Sequence, residues 1–365
     1  MSVAAVSRPS RAAPAGRGAL AWLKENLFSS LANTILTLLI VLLAVLAVPP
    51  IFEWALVKSV WGPAPSQVCK EAEGACWAFI YEKHRLILFG RYPFAEQWRP
   101  LVAMVLLFGL IGFSCFRRFW KGWLGAVWAV GLVLFCILMW GGLFGLSYVE
   151  TALWGGLPLT LILSSGGIVL AFPFAILLAL GRRSQLPIVR AICVTYIELI
   201  RGVPLVTLLF MASFMFPLFM PHGVQIDAVL RALVAILLFA AAYLAEVVRG
   251  GLQAIPKGQY EAANAVGLTY WQATRKIILP QAIRIVIPPI VNSFIATFKD
   301  TSLVVIVSLT DLLLATRQAL SDPLWRGFFV EGYVFIALIY LVFCYAMSRY
   351  SRYLETELHT GRRKR

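Results

Sequence analysis

Residues 255 to 280, IPKGQYEAANAVGLTYWQATRKIILP, form the one long polar passage in the second half of an otherwise lipid-soluble chain. The apolar segments on either side must therefore be arranged to present it. Pro256 suits the first turn of a helix, where a missing N–H leaves no bond unmade. Glu261, Ala262, Ala263 and Val266 continue that helix until Gly267, which reads as the left-handed residue beyond a helix end. Leu268 is placed to pack back on it. Thr269, with Gln272 three residues later, spells a capping box for a second helix, and Pro280 falls in the first turn of the next one. The pattern predicts a short helix, a sharp corner and another helix.

The apolar surroundings set the fold class. The chain has 365 residues, of which 61% are hydrophobic and 13% charged, with mean hydropathy +0.83 and repeated apolar runs near bilayer-spanning length. It reads as an all-α polytopic membrane protein with about eight transmembrane helices, and a soluble fold is excluded. The net charge of +15 is spread in short basic clusters between apolar runs. That is the pattern that orients membrane proteins, and it argues against nucleic acid as a partner. The N-terminus through Asn26 is polar and basic and the first apolar run is of full spanning length, so no cleavable signal peptide is expected. His84, His222 and His359 fall in different loops and make no metal constellation.

Taken in order, Arg8, Arg11, Arg17 and Lys24 within a cytoplasmic segment 1–30 precede a first span at about residues 31–48, ended by Pro49 and Pro50. Residues 51–99 form a long extracytoplasmic loop with Trp61, Trp77, Trp98, Cys69 and Cys76, too polar to cross and expected to lie partly on the membrane surface. In an oxidising compartment a small Cys69–Cys76 disulfide is one reading, and two free thiols is the other. Spans near 100–116 and 123–140 complete an accessory block, 31–156. From Leu157 to about residue 350 the spans carry more Gly, Pro and internal polar residues, the mark of close helix packing or of broken helices lining a cavity. Span four covers about 158–180. Residues 187–220 are too many for one straight crossing and should bend at Arg201-Gly202-Val203-Pro204. Span six covers about 226–248. Span seven starts near Gln281 and should break around Lys299-Asp300-Thr301-Ser302, and span eight covers about 331–348 ahead of a basic cytoplasmic tail, 351–365. Most of the 32 Lys and Arg fall on the predicted cytoplasmic side, and so does the elbow.

The elbow holds no nucleophile with a base, no paired carboxylates, no metal-ligand cluster and no glycine loop for phosphate, so it is built for docking. Ala262 and Ala263 would let another protein's surface approach the helix backbone, Glu261 offers one charge-assisted contact, and Gly267 fixes the angle. The spacing Glu261-Ala262-Ala263, three residues, Gly267, nine residues, Ile277, one residue, Leu279-Pro280 resembles the EAA loop of ABC importer permeases, which inserts into a cleft of the cytoplasmic ATPase. An ordinary amphipathic cytoplasmic loop is the alternative. Tyr196-Ile197-Glu198-Leu199-Ile200-Arg201-Gly202-Val203-Pro204-Leu205, the run from Tyr243 through Glu246 and Arg249 to Gly251, and Phe298-Lys299-Asp300-Thr301-Ser302-Leu303 are similar to the polar-amino-acid branch of that family. The N-terminal block with its cysteine loop resembles the larger, M-type permease of general L-amino-acid transporters.

The resemblance covers about residues 157–350 and implies a five-helix ABC importer permease core, MetI-like. It implies four partners: a second amino-acid permease subunit, a cytoplasmic ABC ATPase dimer, a periplasmic amino-acid-binding protein and membrane lipid. Both termini would be cytoplasmic in a bacterial inner membrane. It further implies no cofactor in this chain, since ATP and Mg²⁺ belong to the ATPase, and no covalent chemistry. Glu198 with Arg201, and Glu246 with Arg249, lie three apart on helices and read either as interfacial ion pairs or as part of a path or gate. Charges inside an apolar run are costly and usually face a cavity or each other. Lys299 and Asp300, with Thr301, Ser302 and Asn292, are therefore either a structural clamp at a helix break or cavity lining. A stand-alone channel or ion-coupled carrier for small polar solutes is the competing function, and it would need a filter or proton relay that the spans hardly supply. An intramembrane enzyme lacks any nucleophile and base in its spans.

Overall fold

Backbone N–H and C=O groups deprived of water inside a bilayer must bond within their own segment, and the apolar runs do so as helices. The computed structural model describes residues 19–119, 122–221, 223 and 226–363; Arg8, Arg11, Arg17, Lys121, His222 and the last two residues lie outside them. Among the described residues the only extended pairings are two isolated bridges. Within these residues six helices are long and apolar enough to cross a membrane, seven when the bent pair Pro187–Gly202 and Leu205–Phe219 counts as one span, and Leu124–Trp140 is a shorter apolar helix. The protein is an all-α polytopic membrane protein.

Two compact units meet in sequence between Ala78 and Phe79. In the first, α1 (Ala19–Leu27) is followed by α2 (Leu31–Phe52), whose N-cap Ser30 accepts from the Asn33 N–H. Contrary to the sequence reading, Pro49 and Pro50 do not end this helix. They keep a helical φ and remove only their own donors, while the Glu53 N–H takes their carbonyls and a π turn carries the helix to Val57. The following segment is tied to itself. α3 (Ser66–Glu71) contains Cys69, which is disulfide-bonded to Cys76 with Cα atoms 5.4 Å apart. Lys58 pairs with Glu73 at 2.7 Å, and the Trp61 and Trp77 rings pack at 5.8 Å.

α4 (Trp77–Phe89) straddles the boundary in sequence. From Phe79 on it belongs to the second unit, within which Phe79 meets Trp325 and Lys83 reaches Asp322 at 2.7 Å, a hydrogen bond that holds the Asp322 carboxyl below its ordinary range. α5 (Trp98–Cys115) and α6 (Leu124–Trp140) lie side by side. Arg99, fully buried on α5, donates to the Leu138 carbonyl in the last turn of α6 and to the Ser147 carbonyl, each at 2.8 Å. A cation there offsets the negative end of the helix dipole and occupies carbonyls that have no intrahelical donor.

The core of this unit is stacked along α7 (Gly156–Arg182) and α10 (Ala228–Gln253), which run in the same direction. Leu159 and Leu163 pack with Ala232 and Ile236, Ala171 and Ala175 with Ala240, Ala241 and Leu244, and Ala179 with Val248 and Leu252. In lipid the hydrophobic effect does not favour one apolar contact over another, so alanines that allow close backbone packing carry the association. Between the two helices the chain makes α8 (Pro187–Gly202) and α9 (Leu205–Phe210), bent by 103° at the expected Gly202-Val203-Pro204 break. Then come α11 (Lys257–Ala265), α12 (Tyr270–Ala273), α13 (Leu279–Asp300), α14 (Leu312–Leu320) and α15 (Phe329–Arg363). A Cβ on Gly251 would sit 2.7 Å from the Ala282 carbonyl oxygen, so glycine is what lets α10 and α13 meet backbone to backbone.

Three further boundaries depart from the sequence reading. α13 is not a fresh helix at Gln281, because α12 continues into it through a π turn at Thr274–Ile278. At residues 299–302 the helix does not stop but tightens into a 3₁₀ segment, Thr301–Val307, and ends at left-handed Ser308. The basic tail continues α15 as helix to Arg363, since Arg, Glu and Leu are good helix formers even off the membrane.

Candidate functional site

The elbow folds as its local signals dictate. Gly267 adopts φ +74°, its N–H bonds the Asn264 carbonyl at 2.9 Å, and the Leu268 N–H bonds that of Ala263 at 3.1 Å, which together close the end of α11. Thr269 and Gln272 form the reciprocal capping box that starts α12. Glu261, Ala262 and Gly267 are exposed, and Pro280 is exposed higher up. Ala263 is not. Successive helix residues are about 100° apart, so Ala262 and Ala263 cannot share a face, and Ala263 turns inward at 1% exposure. Of the two alanines, Ala262 alone is placed where a partner surface could reach it. Ile277 and Leu279 are partly buried against a cluster containing Val248, Leu252 and Ile255, so these motif positions join the elbow to the core.

Two side chains outside the motif complete that joint. The Tyr260 hydroxyl donates to the Leu252 carbonyl and accepts from Arg183, both at 3.2 Å. Gln281 donates to Gln259 at 3.0 Å and to the Ile277 carbonyl at 2.9 Å.

Above the elbow lies a cluster of charges. Glu246 pairs with Arg249 at 2.8 Å, as spacing predicts. Glu198 does not pair with Arg201. Arg182, at the end of α7, places Nη1 2.8 Å from Glu198 and 2.6 Å from Glu246, linking α7, α8 and α10. Arg201 instead lies over the Tyr243 ring, 5.5 Å from its centroid. An i, i+3 spacing permits a pair, but a guanidinium arriving from a neighbouring helix between two carboxylates interacts with both. The reading of two separate interfacial pairs gives way to one inter-helix cluster.

On α13, Ile285, Pro289, Asn292, Ala296 and Lys299 are exposed and recur every three or four residues, so they share one face. Lys299 and the half-buried Asp300 form no ion pair within 4 Å among the described residues. The clamp at the change of helix type is made by hydroxyls: Thr301 donates to the Phe298 carbonyl at 2.7 Å and Ser302 to that of Lys299 at 2.8 Å. Farther on, the Gly156 N–H donates to the Thr310 carbonyl at 2.8 Å, which sets the start of α7 level with the end of the 3₁₀ segment.

Residues 171–359 match the sequence family described as binding-protein-dependent transport system inner membrane component. The inner membrane amino-acid ABC transporter permease protein YhdY of Escherichia coli K12 is 51% identical over 94% of each chain. The glutamate/glutamine/aspartate/asparagine transport system permease protein BztC of Rhodobacter capsulatus is 39% identical over 97% of each. A crystal structure of an amino acid ABC transporter with histidines is similar at 31% identity and TM-score 0.49, over 54% of this chain and 90% of that one.

Proposed function

Because the chain belongs to the family of binding-protein-dependent transport system inner membrane components, we propose that the 261–280 elbow is where an ATP-driven importer drives it. The chain is a permease subunit of an amino-acid ABC importer and a multi-pass inner-membrane protein. Membership implies that it works with ATPase and binding-protein components.

In this reading the chain supplies half of a translocation path and performs no covalent chemistry. A second permease subunit supplies the other half against the Asn292 and Lys299 face, the ATPase dimer holds ATP and Mg²⁺, and a binding protein delivers the solute from outside. The substrates are L-amino acids, polar or of broad range. The Rhodobacter relative, named for the transport of two acidic amino acids and their amides, supports that class. Both termini are cytoplasmic, a placement that rests on the positive-inside bias. Closure of the ATPase dimer pulls the elbow, and the core switches between an inward-open and an outward-open state. The Arg182 cluster stands where such a switch would part α7, α8 and α10.

One observation carries the coupling assignment. Glu261 and Ala262 stand exposed just ahead of a fixed left-handed corner, while Ala263, Ile277 and Leu279 are turned into the core. A force applied at Glu261 therefore reaches α10 and α13 without a slack joint. Reversing this charge tests the assignment. An exposed ion pair contributes about 1 kcal/mol or less, whereas a like charge forced into a protein cleft costs several kcal/mol. Glu261→Lys is expected to abolish substrate-stimulated ATP hydrolysis and uptake in reconstituted vesicles with normal membrane insertion, and a compensating charge on the ATPase should restore part of both. Normal uptake by the single variant would show that Glu261 does not carry the coupling.

A further inference from the structure

From Phe79 onward α4 is fastened to the core at both of its ends, although it precedes the matched family stretch in sequence. At its C-terminal end three backbones meet with no room for side chains. A Cβ on Gly90 would lie 2.6 Å from the Gly155 Cα, one on Gly155 would lie 2.8 Å from the Thr310 carbonyl oxygen, and one on Gly156 would strike the Leu88 carbonyl. Gly90 and Gly156 also take φ +61° and +62°, a region that glycine enters freely and other residues rarely. Hydrogen bonds close the joint. The Gly156 N–H holds the Thr310 carbonyl, and the buried Thr160 hydroxyl accepts from the Leu312 N–H at 3.2 Å while donating to the Gly156 carbonyl at 3.0 Å. The last turn of α4, the start of α7 and the chain between the 3₁₀ segment and α14 are thus packed backbone to backbone.

The other end is held by side chains. The fully buried Phe79 ring packs on Trp325 with centroids 6.0 Å apart, and its edge lies 3.3 Å from where a Cβ on Gly332, in the first turn of α15, would stand. One turn along, Lys83 pairs with Asp322, the two side chains only 18% and 29% exposed, so water screens the pair weakly. About 15 Å of helix separates Phe79 from Phe89. α14 leads from the same joint, at Asp311, to the same turn, at Asp322 and Trp325. α4 and α14 are therefore two sides of a frame closed at both corners, and a closed frame resists shear where a free helix end would bend.

We propose that α4 is a strap: it makes the outer ends of α7, the 3₁₀ segment and α15 move as one body through the transport cycle, so that force entering at the elbow opens the outer mouth instead of being absorbed there. A lid that parts from the core in each cycle is the opposite arrangement. The glycine joint argues against a lid, because backbone packed on backbone has no rotamer with which to give way. The strap takes the two-state switch of the core as given. A native importer whose uptake did not depend on ATP would fail that switch and the strap with it, whereas the variants below test the strap alone.

The test uses the assembled importer in vesicles, with its binding protein and a labelled mixture of L-amino acids. With Cys115, Cys136, Cys193 and Cys344 replaced by alanine, Lys83→Cys and Asp322→Cys are bridged by a short bis-methanethiosulfonate. Bridged importer should take up label within twofold of the unbridged rate. A tenfold loss that reduction reverses, and that the same treatment does not cause without the pair, would show α4 leaving the core in each cycle and overturn the strap. In the otherwise native importer, Lys83→Glu should raise the ATP hydrolysed per amino acid taken up at least threefold, and Lys83→Arg should return it to the native value. An unchanged ratio, or uptake and hydrolysis falling in proportion, would make α4 passive scaffolding and refute the proposal.

Discussion

A valine at position 267 would have to take φ +74°, where its Cβ crowds the backbone at a cost of about 1 kcal/mol or more. No neighbouring atom lies within 4 Å of the added Cβ, so the strain is conformational rather than a clash with the core. Gly267→Val should accordingly insert normally but hold the ATPase several-fold more loosely, as read by co-purification; unchanged retention would mean that the left-handed corner is not what sets the docking angle. This corner was legible in the sequence because its causes are local: a glycine, a leucine after it, and Thr269 three residues before Gln272. Ala263 was misread because two adjacent alanines carry no mark of which one faces out. Arg182 escaped notice for a different reason. Which carboxylates a guanidinium meets depends on which helices pack together, and that is not written within any one segment.

Among elements, the junction of α7, α8 and α10 hangs on that arginine. The Glu246 side chain is 16% exposed and that of Glu198 56%, so water screens the second contact more strongly. Arg182→Gln should destabilise the protein by about 1 to 3 kcal/mol, lowering its thermal midpoint in detergent. In double-variant cycles the coupling of Arg182 to Glu246 should exceed that to Glu198. Equal, near-zero couplings would reduce the cluster to surface decoration. Most helices could be placed from hydropathy alone, and the α8 break from its Gly-Val-Pro run. The π turn at 274–278 and the passage of α2 through Pro49 and Pro50 could not, because each is a change of hydrogen-bond partner within a run whose composition stays the same.

For the whole molecule, the proposed orientation puts the elbow inside and the turn between α14 and α15 outside. Leu324, exposed in that turn, and Gly258, exposed with open space around it, make suitable reporters. In intact cells with a permeabilised outer membrane, an impermeant thiol reagent should label Leu324→Cys and leave Gly258→Cys untouched until the inner membrane is opened. The reverse result would turn the molecule over and take the elbow away from any cytoplasmic ATPase. The close approach of Gly251 to Ala282 has a mechanical meaning in this orientation. It is a fulcrum. The helix from Tyr270 to Val307 runs unbroken past it, with about 18 Å of helix on the cytoplasmic side and about 40 Å on the other. A lever with those arms roughly doubles displacement and halves force. A shift of one or two ångströms where ATP is hydrolysed would become a swing of several at the opposite mouth. A side chain at position 251 would seize the pivot while leaving both ends of the lever intact.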